Sequence, residues 1–142
     1  MSLTTDDSQD VLGRLALLNS DLTAAVGEIA SAHQISASQF YVLRVLLGSW
    51  PDPLTCSDIG CNLLDRTPDV TRLLDRLDKA GLIQRERSTE DRRVIHVHLS
   101  QEGRALTKEV EEQVGLYEQR LLQGLSRQER HHLTELLERI RL

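Results

Sequence analysis

The chain is short of several things, and each shortage excludes something. Aromatic side chains make up 3% of its 142 residues, so leucine, valine and isoleucine must build any core. Cys56 and Cys61 are its only cysteines. Two are too few for a disulfide framework and suit a reducing compartment. No apolar run approaches the roughly 20 residues that span a bilayer. The opening stretch, MSLTTDDSQD, is polar and acidic, unlike a secretory signal or a transit peptide. These absences predict a cytoplasmic protein with no membrane partner. Phosphate loops, nucleophile elbows and zincin motifs are also missing. His96 and His98 share one strand face and His131 and His132 are adjacent, but neither pair has a Cys, Asp or Glu set at ligand spacing. The expectation is no metal, no cofactor and no enzymatic activity.

Lysine is scarce as well: only Lys79 and Lys108 among seventeen cations, the rest being arginine. Arginine suits bidentate contacts with phosphate and guanine, although a GC-rich genome gives the same bias. The net charge of −5 argues against a nucleic-acid partner until it is mapped. Residues 1–64 hold two cations against seven acids, residues 65–99 hold eight against seven, and residues 100–142 hold seven against eight. Only the central third is not acidic, and local patches govern electrostatic binding more than the total does.

The length fits one domain. Val11, Leu15, Leu18, Leu22, Val26 and Ile29 recur at spacings of three and four, which predicts a helix ending at His33-Gln34. Ser36-x-x-Gln39 has the form of a capping box, so a second helix starts near residue 37 and stops at Gly48 and Pro51-Asp52-Pro53. Leu54 reads as a single extended residue. Thr55 caps a short third helix, Cys56 to Leu64. A fourth helix opens near Thr67-Pro68, buries Val70, Leu73, Leu74 and Leu77, and ends at Gly81. Leu82–Arg87 and Val94–Leu99 read as the strands of a hairpin. A long helix follows from residue 101 or 102, and Ser126-x-x-Glu129 caps a last one.

Helix, helix, short helix, helix, hairpin, helix, helix is a mainly α chain with a small β-hairpin. Its centre has the order of a winged helix-turn-helix. A compact winged domain of about eighty residues does not need the long outer helices. Their apolar stripes either pack on each other or meet a second copy, and a two-fold homodimer is the simpler solution. The organisation expected is a single domain over 1–142, with dimerisation helices in 1–34 and 104–142 around a DNA-binding region in 35–103. The dimer-forming side chains would be Val11, Leu15, Leu18, Leu121, Leu133, Leu136, Leu137 and Ile140.

From Asp91 onward the chain reads Asp91-x-Arg93, five residues, Leu99-Ser100, two residues, Gly103. This resembles the wing motif of the MarR family of bacterial transcriptional regulators, which has Leu-Thr where this chain has Leu99-Ser100. Serine keeps the hydroxyl that would cap the fifth helix. Thr71 to Leu77 followed by Lys79-Ala80-Gly81-Leu82-Ile83 is similar to the family's recognition helix and its exit. Ser36, Gln39, Val42 and Leu43 are similar to its second-helix signature. The resemblance covers about residues 11–142. It implies a triangular homodimer with a recognition helix in each of two successive major grooves and a wing on each flanking minor groove. It also implies that a small phenolic or other effector, or oxidation of a cysteine, can release the DNA.

The residues take roles accordingly. Arg93 at the hairpin tip reaches the minor groove, Asp91 holds its guanidinium, and Arg92 touches phosphate or is merely solvated. Arg66, Thr67, Pro68, Asp69, Thr71 and Arg72 occupy the first turns of the recognition helix, with Arg72 set for guanine and Thr71 for phosphate or a thymine methyl. Asp69 either accepts from cytosine or simply complements the helix N-terminus, the plainer reading. Thr55 and Ser57 are candidate phosphate contacts, whereas Asp75 and Arg76 belong to the scaffold. His33, Phe40, Tyr41 and Trp50 either border an effector cleft or pack the core. The partners expected are double-stranded DNA, a second copy and a small-molecule effector. The competing reading is a winged-helix protein-interaction module that binds no DNA.

Overall fold

The computed structural model describes residues 7–63 and 69–140. In chain order these form α1 (Asp7–Ala32), α2 (Ala37–Ser49), β1 (Leu54–Thr55), α3 (Cys56–Asn62), α4 (Val70–Lys79), β2 (Ile83–Arg87), β3 (Ile95–Leu99), α5 (Gln101–Leu121) and α6 (Arg127–Glu138). Local chemistry sets the boundaries. Gln34 takes a positive φ of 62° and ends α1, with the Ile35 N–H returning to the Ala30 carbonyl at 3.2 Å. Ser36 and Gln39 cap α2 reciprocally: Gln39 N donates to Ser36 Oγ at 3.1 Å and Ser36 N to Gln39 Oε1 at 2.8 Å. Ser126 and Glu129 repeat the device on α6.

Three expectations need correction. The sheet has three strands, in the order β1-β3-β2 and antiparallel throughout, because Leu54 pairs with Val97 and Thr55 with His96. Two residues are too few to show a period of two, so the third strand leaves no pattern in the sequence. Helix α4 starts at Val70, not near Thr67-Pro68, because the Asp69 carboxylate accepts from the Arg72 N–H at 3.1 Å and supplies the cap. Arg66, Thr67 and Pro68 lie outside the described residues. Ile95 alternates with Val97 and Leu99 yet stands 39% exposed, because β1 pairs only with Val97 and His96 and stops short of it.

The core is one cluster. Val26 and Ala30 of α1 meet Phe40, Leu43 and Leu46 of α2, Ile59 of α3, Leu73, Leu74 and Leu77 of α4, Val97 and Leu99 of β3, and Val110 and Val114 of α5. Gly81, at φ 72°, ends α4 and turns the chain into β2. The Ser100 hydroxyl donates to the Gly81 carbonyl at 2.7 Å and accepts from the Gly103 N–H at 2.9 Å, so the end of α4 and the start of α5 share one side chain. A Cβ on Gly103 would sit 1.9 Å from the Leu82 carbonyl oxygen, so only glycine fits this crossing. The spacing Leu99-Ser100-x-x-Gly103 is therefore a joint between two helices as well as the end of a wing.

The terminal helices behave differently. No residue of α6 is buried, and Leu133, Leu136, Leu137 and Ile140 stand 39–49% exposed. Val11, Leu18 and Leu121 are also exposed, and Leu15 is half-buried. Among the described residues, no helix is long and apolar enough to cross a membrane.

Candidate nucleic-acid interface

Helix α4 is amphipathic in the strict sense. Leu73, Leu74 and Leu77 are sealed in the core, while Thr71, Arg72, Asp75, Arg76, Asp78 and Lys79 are exposed. Thr71 and Arg72 stand in its first turn, the part of a recognition helix that meets base edges. Asp69 precedes them as the cap, which is the plainer of its two readings. Asp75 and Asp78 turn toward the hairpin: the Arg85 Nη2 on β2 lies 2.7 Å from Asp75 Oδ1, and its Nε lies 3.8 Å from Asp78 Oδ2. Asp75 is thus tied to a neighbouring element, as expected, whereas Arg76 stays exposed.

At the start of α3, Thr55 is fully committed. Its hydroxyl donates to Asp58 Oδ2 at 2.6 Å and accepts from the Asp58 N–H at 3.1 Å, while its own N–H donates to the same carboxylate at 3.0 Å. These bonds hold the Asp58 carboxyl below its ordinary pKa, the Thr55 hydroxyl contributing most and its N–H next. In this structure the hydroxyl proton is held inside the cap, and a carboxylate occupies the helix end. Ser57 beside it is exposed. Asp58 escaped the sequence reading, although Thr55-x-x-Asp58 is the acidic form of a capping box and was there to find. Cys56 Sγ lies 3.9 Å from Thr71 Oγ1 and joins the two helices of the motif. Cys61 is exposed; within the short α3 only Ile59 is buried.

The hairpin tip is a network of short-range bonds. Asp91 Oδ1 accepts from the Arg93 N–H at 2.9 Å, the Asp91 carbonyl from the Val94 N–H at 2.9 Å, and Ser88 Oγ from the N–H groups of Glu90 and Asp91. Asp91 therefore holds Arg93 through its backbone, not through its guanidinium as expected; a short side chain two residues back makes an Asx turn more readily than an ion pair. Arg92 and Arg93 are exposed.

The four residues considered for an effector cleft are spread along the length of α2 and its two ends. His33, ahead of α2, has its Nε2 3.0 Å from Gln113 Nε2. Trp50, past the other end of α2, is 41% exposed, with the Arg104 guanidinium 4.8 Å from its ring centroid. Thirteen helical residues separate them, about 20 Å by the rise per residue. Phe40 is wholly buried, so it has no surface to offer a cleft. Tyr41 packs on it at 5.7 Å, and its phenol is pushed above its ordinary pKa chiefly by burial. One surface groove is lined by Leu125, Leu133 and Leu136 with His131, His132 and Glu135, on the side of α6. Among the described residues, no group of three or more His, Cys, Asp or Glu is placed to hold a metal ion.

Comparison with known proteins places this geometry. The MarR family profile matches residues 35–95, from the turn before α2 to the first residue of β3. The HTH-type transcriptional regulator PecS of Dickeya dadantii is 31% identical over 131 residues, spanning 92% of this chain and 79% of that protein. A MarR transcription factor from Planctomyces limnophilus, solved as a crystal structure, is 36% identical with a TM-score of 0.69 over 97% of each chain. A mutant MarR from E. coli, solved complexed with operator DNA, is 29% identical with a TM-score of 0.77, covering 94% of this chain and 97% of that one. Sharing sequence and fold over nearly its whole length with such proteins, the chain belongs to the MarR family of transcriptional regulators.

Proposed function

We propose that the chain acts as a cytoplasmic homodimer that binds an inverted repeat in double-stranded DNA and represses transcription by occupying it. The observation that carries this reading is the two-sidedness of α4. Its leucines are sealed in the core, Thr71 and Arg72 stand free in its first turn, and Arg85 ties its flank to the hairpin that carries Arg92 and Arg93. In this reading Arg72 addresses guanine, Thr71 a phosphate or thymine methyl, Arg93 the minor groove and Arg92 a phosphate. Ser57 and Asp69 flank the same surface, and Arg66, Thr67 and Pro68 would approach the DNA just ahead of α4.

Dimerisation sets the spacing. Residues 35–103 form the reading head, and the helices within 1–34 and 104–142 join two copies. The exposed Val11, Leu18, Leu121, Leu133, Leu136, Leu137 and Ile140, with the half-buried Leu15, supply the contact. Two heads related by a two-fold axis read half-sites about one helical turn, roughly 34–36 Å, apart. Incubating the purified protein with random duplex fragments and sequencing the bound fraction tests the whole reading. An enriched inverted repeat with that spacing is expected. Recovery of no preferred sequence would favour a winged-helix protein-interaction module instead.

A further inference from the structure

The exposed face of α4 carries charges of both signs, and the structure sorts them. Arg72, Arg76 and Lys79 are four and three residues apart, so at 3.6 residues per turn they fall within about 60° of one another. Leu73, Leu74 and Leu77 lie on the opposite side, in the core. The cations thus form one stripe on the exposed side of α4. Asp75 and Asp78 flank that stripe on the β2 side. Left uncovered, two carboxylates beside a groove-facing helix would repel phosphate. Both stay about half exposed but are paired: the half-buried Arg85 bonds Asp75 at 2.7 Å and stands 3.8 Å from Asp78. Its Nε is buried with no hydrogen-bond partner of its own, so the guanidinium is held for its charge as much as for its bonds.

Building on the DNA-binding reading above, we infer that Arg85 is a positioning residue for DNA. It draws Asp75 and Asp78 toward the sheet and offsets one of their two negative charges, so that Arg72, Arg76 and Lys79 outweigh what remains. Arg85 itself touches no DNA in this scheme. It acts through the two acids, and its role is electrostatic, so the consequence of losing it depends on salt.

The test measures binding of fluorescent duplex DNA by anisotropy at about 50 and about 200 mM salt, with thermal unfolding followed in parallel. Arg85→Met should lower affinity about ten-fold at the lower salt, and the gap should narrow at the higher, where charges beyond about a Debye length are screened. Adding Asp75→Asn and Asp78→Asn to Arg85→Met should restore near-parental affinity, which repair of a merely structural defect would not do. The two Asp→Asn changes with Arg85 retained should bind more tightly than the parent. They carry the test alone if Arg85→Met does not fold. Parental affinity in Arg85→Met, a triple variant as weak as Arg85→Met, or no gain in the Asp→Asn pair overturns the inference while leaving DNA binding intact. A parent that binds no duplex at all overturns both.

Discussion

Leu73, Leu74 and Leu77 on α4 and Leu133, Leu136 and Leu137 on α6 are the same residue at similar helical spacings, with opposite fates. The first three are 0–9% exposed and the second three 39–41%. Around α4, helices α2 and α3 and strand β2 pack on the element, and its leucines join the core cluster. In the arm, the stripe meets nothing buried. Burying a leucine fully is worth about 2 kcal/mol, so an uncovered stripe represents binding free energy not yet realised. The core around α4 closes within one chain with help from α1 and α5, whereas α6 offers an apolar side to a partner.

Three substitutions would break or sharpen that contrast. The largest effect belongs to Gly103→Ala. The added methyl would strike the Leu82 carbonyl, a backbone atom that cannot rotate aside. Denaturant unfolding should show a loss above about 3 kcal/mol, at the upper end of overpacking costs. Leu77→Ala should cost about 3 kcal/mol through the cavity it leaves, and should leave the self-association constant unchanged. Leu136→Ala combined with Leu137→Ala should instead weaken self-association about thirty-fold, about 2 kcal/mol, as read by sedimentation equilibrium. If the arm variant destabilises the chain equally at all concentrations, α6 packs within its own chain and the contrast is wrong.

How much of this was legible beforehand follows the same divide. Apolar periodicity announced every long helix and its apolar side, because 3.6-residue spacing survives in sequence. Capping boxes at Ser36 and Ser126 marked two starts to within a residue. What periodicity does not reveal is whether a stripe finds its cover within the chain: α4 and α6 look alike until α2 is seen to pack on the first while no described residue of the second is buried. The two-residue β1 had no length in which to show itself. At the site, the exposed arginines were legible, but the partners of Asp91, Asp58 and Asp75 were not. A carboxylate choosing between a backbone N–H, a hydroxyl and a guanidinium does so by geometry, and only Thr55-x-x-Asp58 carried that geometry as spacing.

A wing substitution separates reading from assembly. Arg93→Ala should lower DNA affinity about ten-fold and reduce the salt slope by about one if the guanidinium neutralises a phosphate. Self-association should not change. A dimer constant that moves with it would mean that head and arm are not independent. Asp91→Ala removes one hydrogen bond to the Arg93 N–H. Its effect on affinity should be smaller and should leave the salt slope where it was, because no charge that meets DNA is lost.

The smallest effect compares one device placed in both regions. Asp58 in the head and Glu129 in the arm each sit three residues into a helix and receive bonds from the capping residue. Both carboxyls lie below their ordinary pKa. Asp58 is lowered first by the Thr55 hydroxyl, and Glu129 first by the Ser126 N–H. A carboxyl depressed in the folded state lends stability that is fully present above its unfolded pKa. That stability is lost as pH falls through the lower folded value. Both groups are exposed, so the loss is modest and confined to acid conditions. Carboxyl chemical shifts followed by NMR should show Ser126→Ala returning the Glu129 midpoint toward its ordinary value with Asp58 unmoved, and Thr55→Ala doing the reverse. If either substitution shifts both midpoints, the caps are coupled through the chain, and head and arm titrate as one body instead of two.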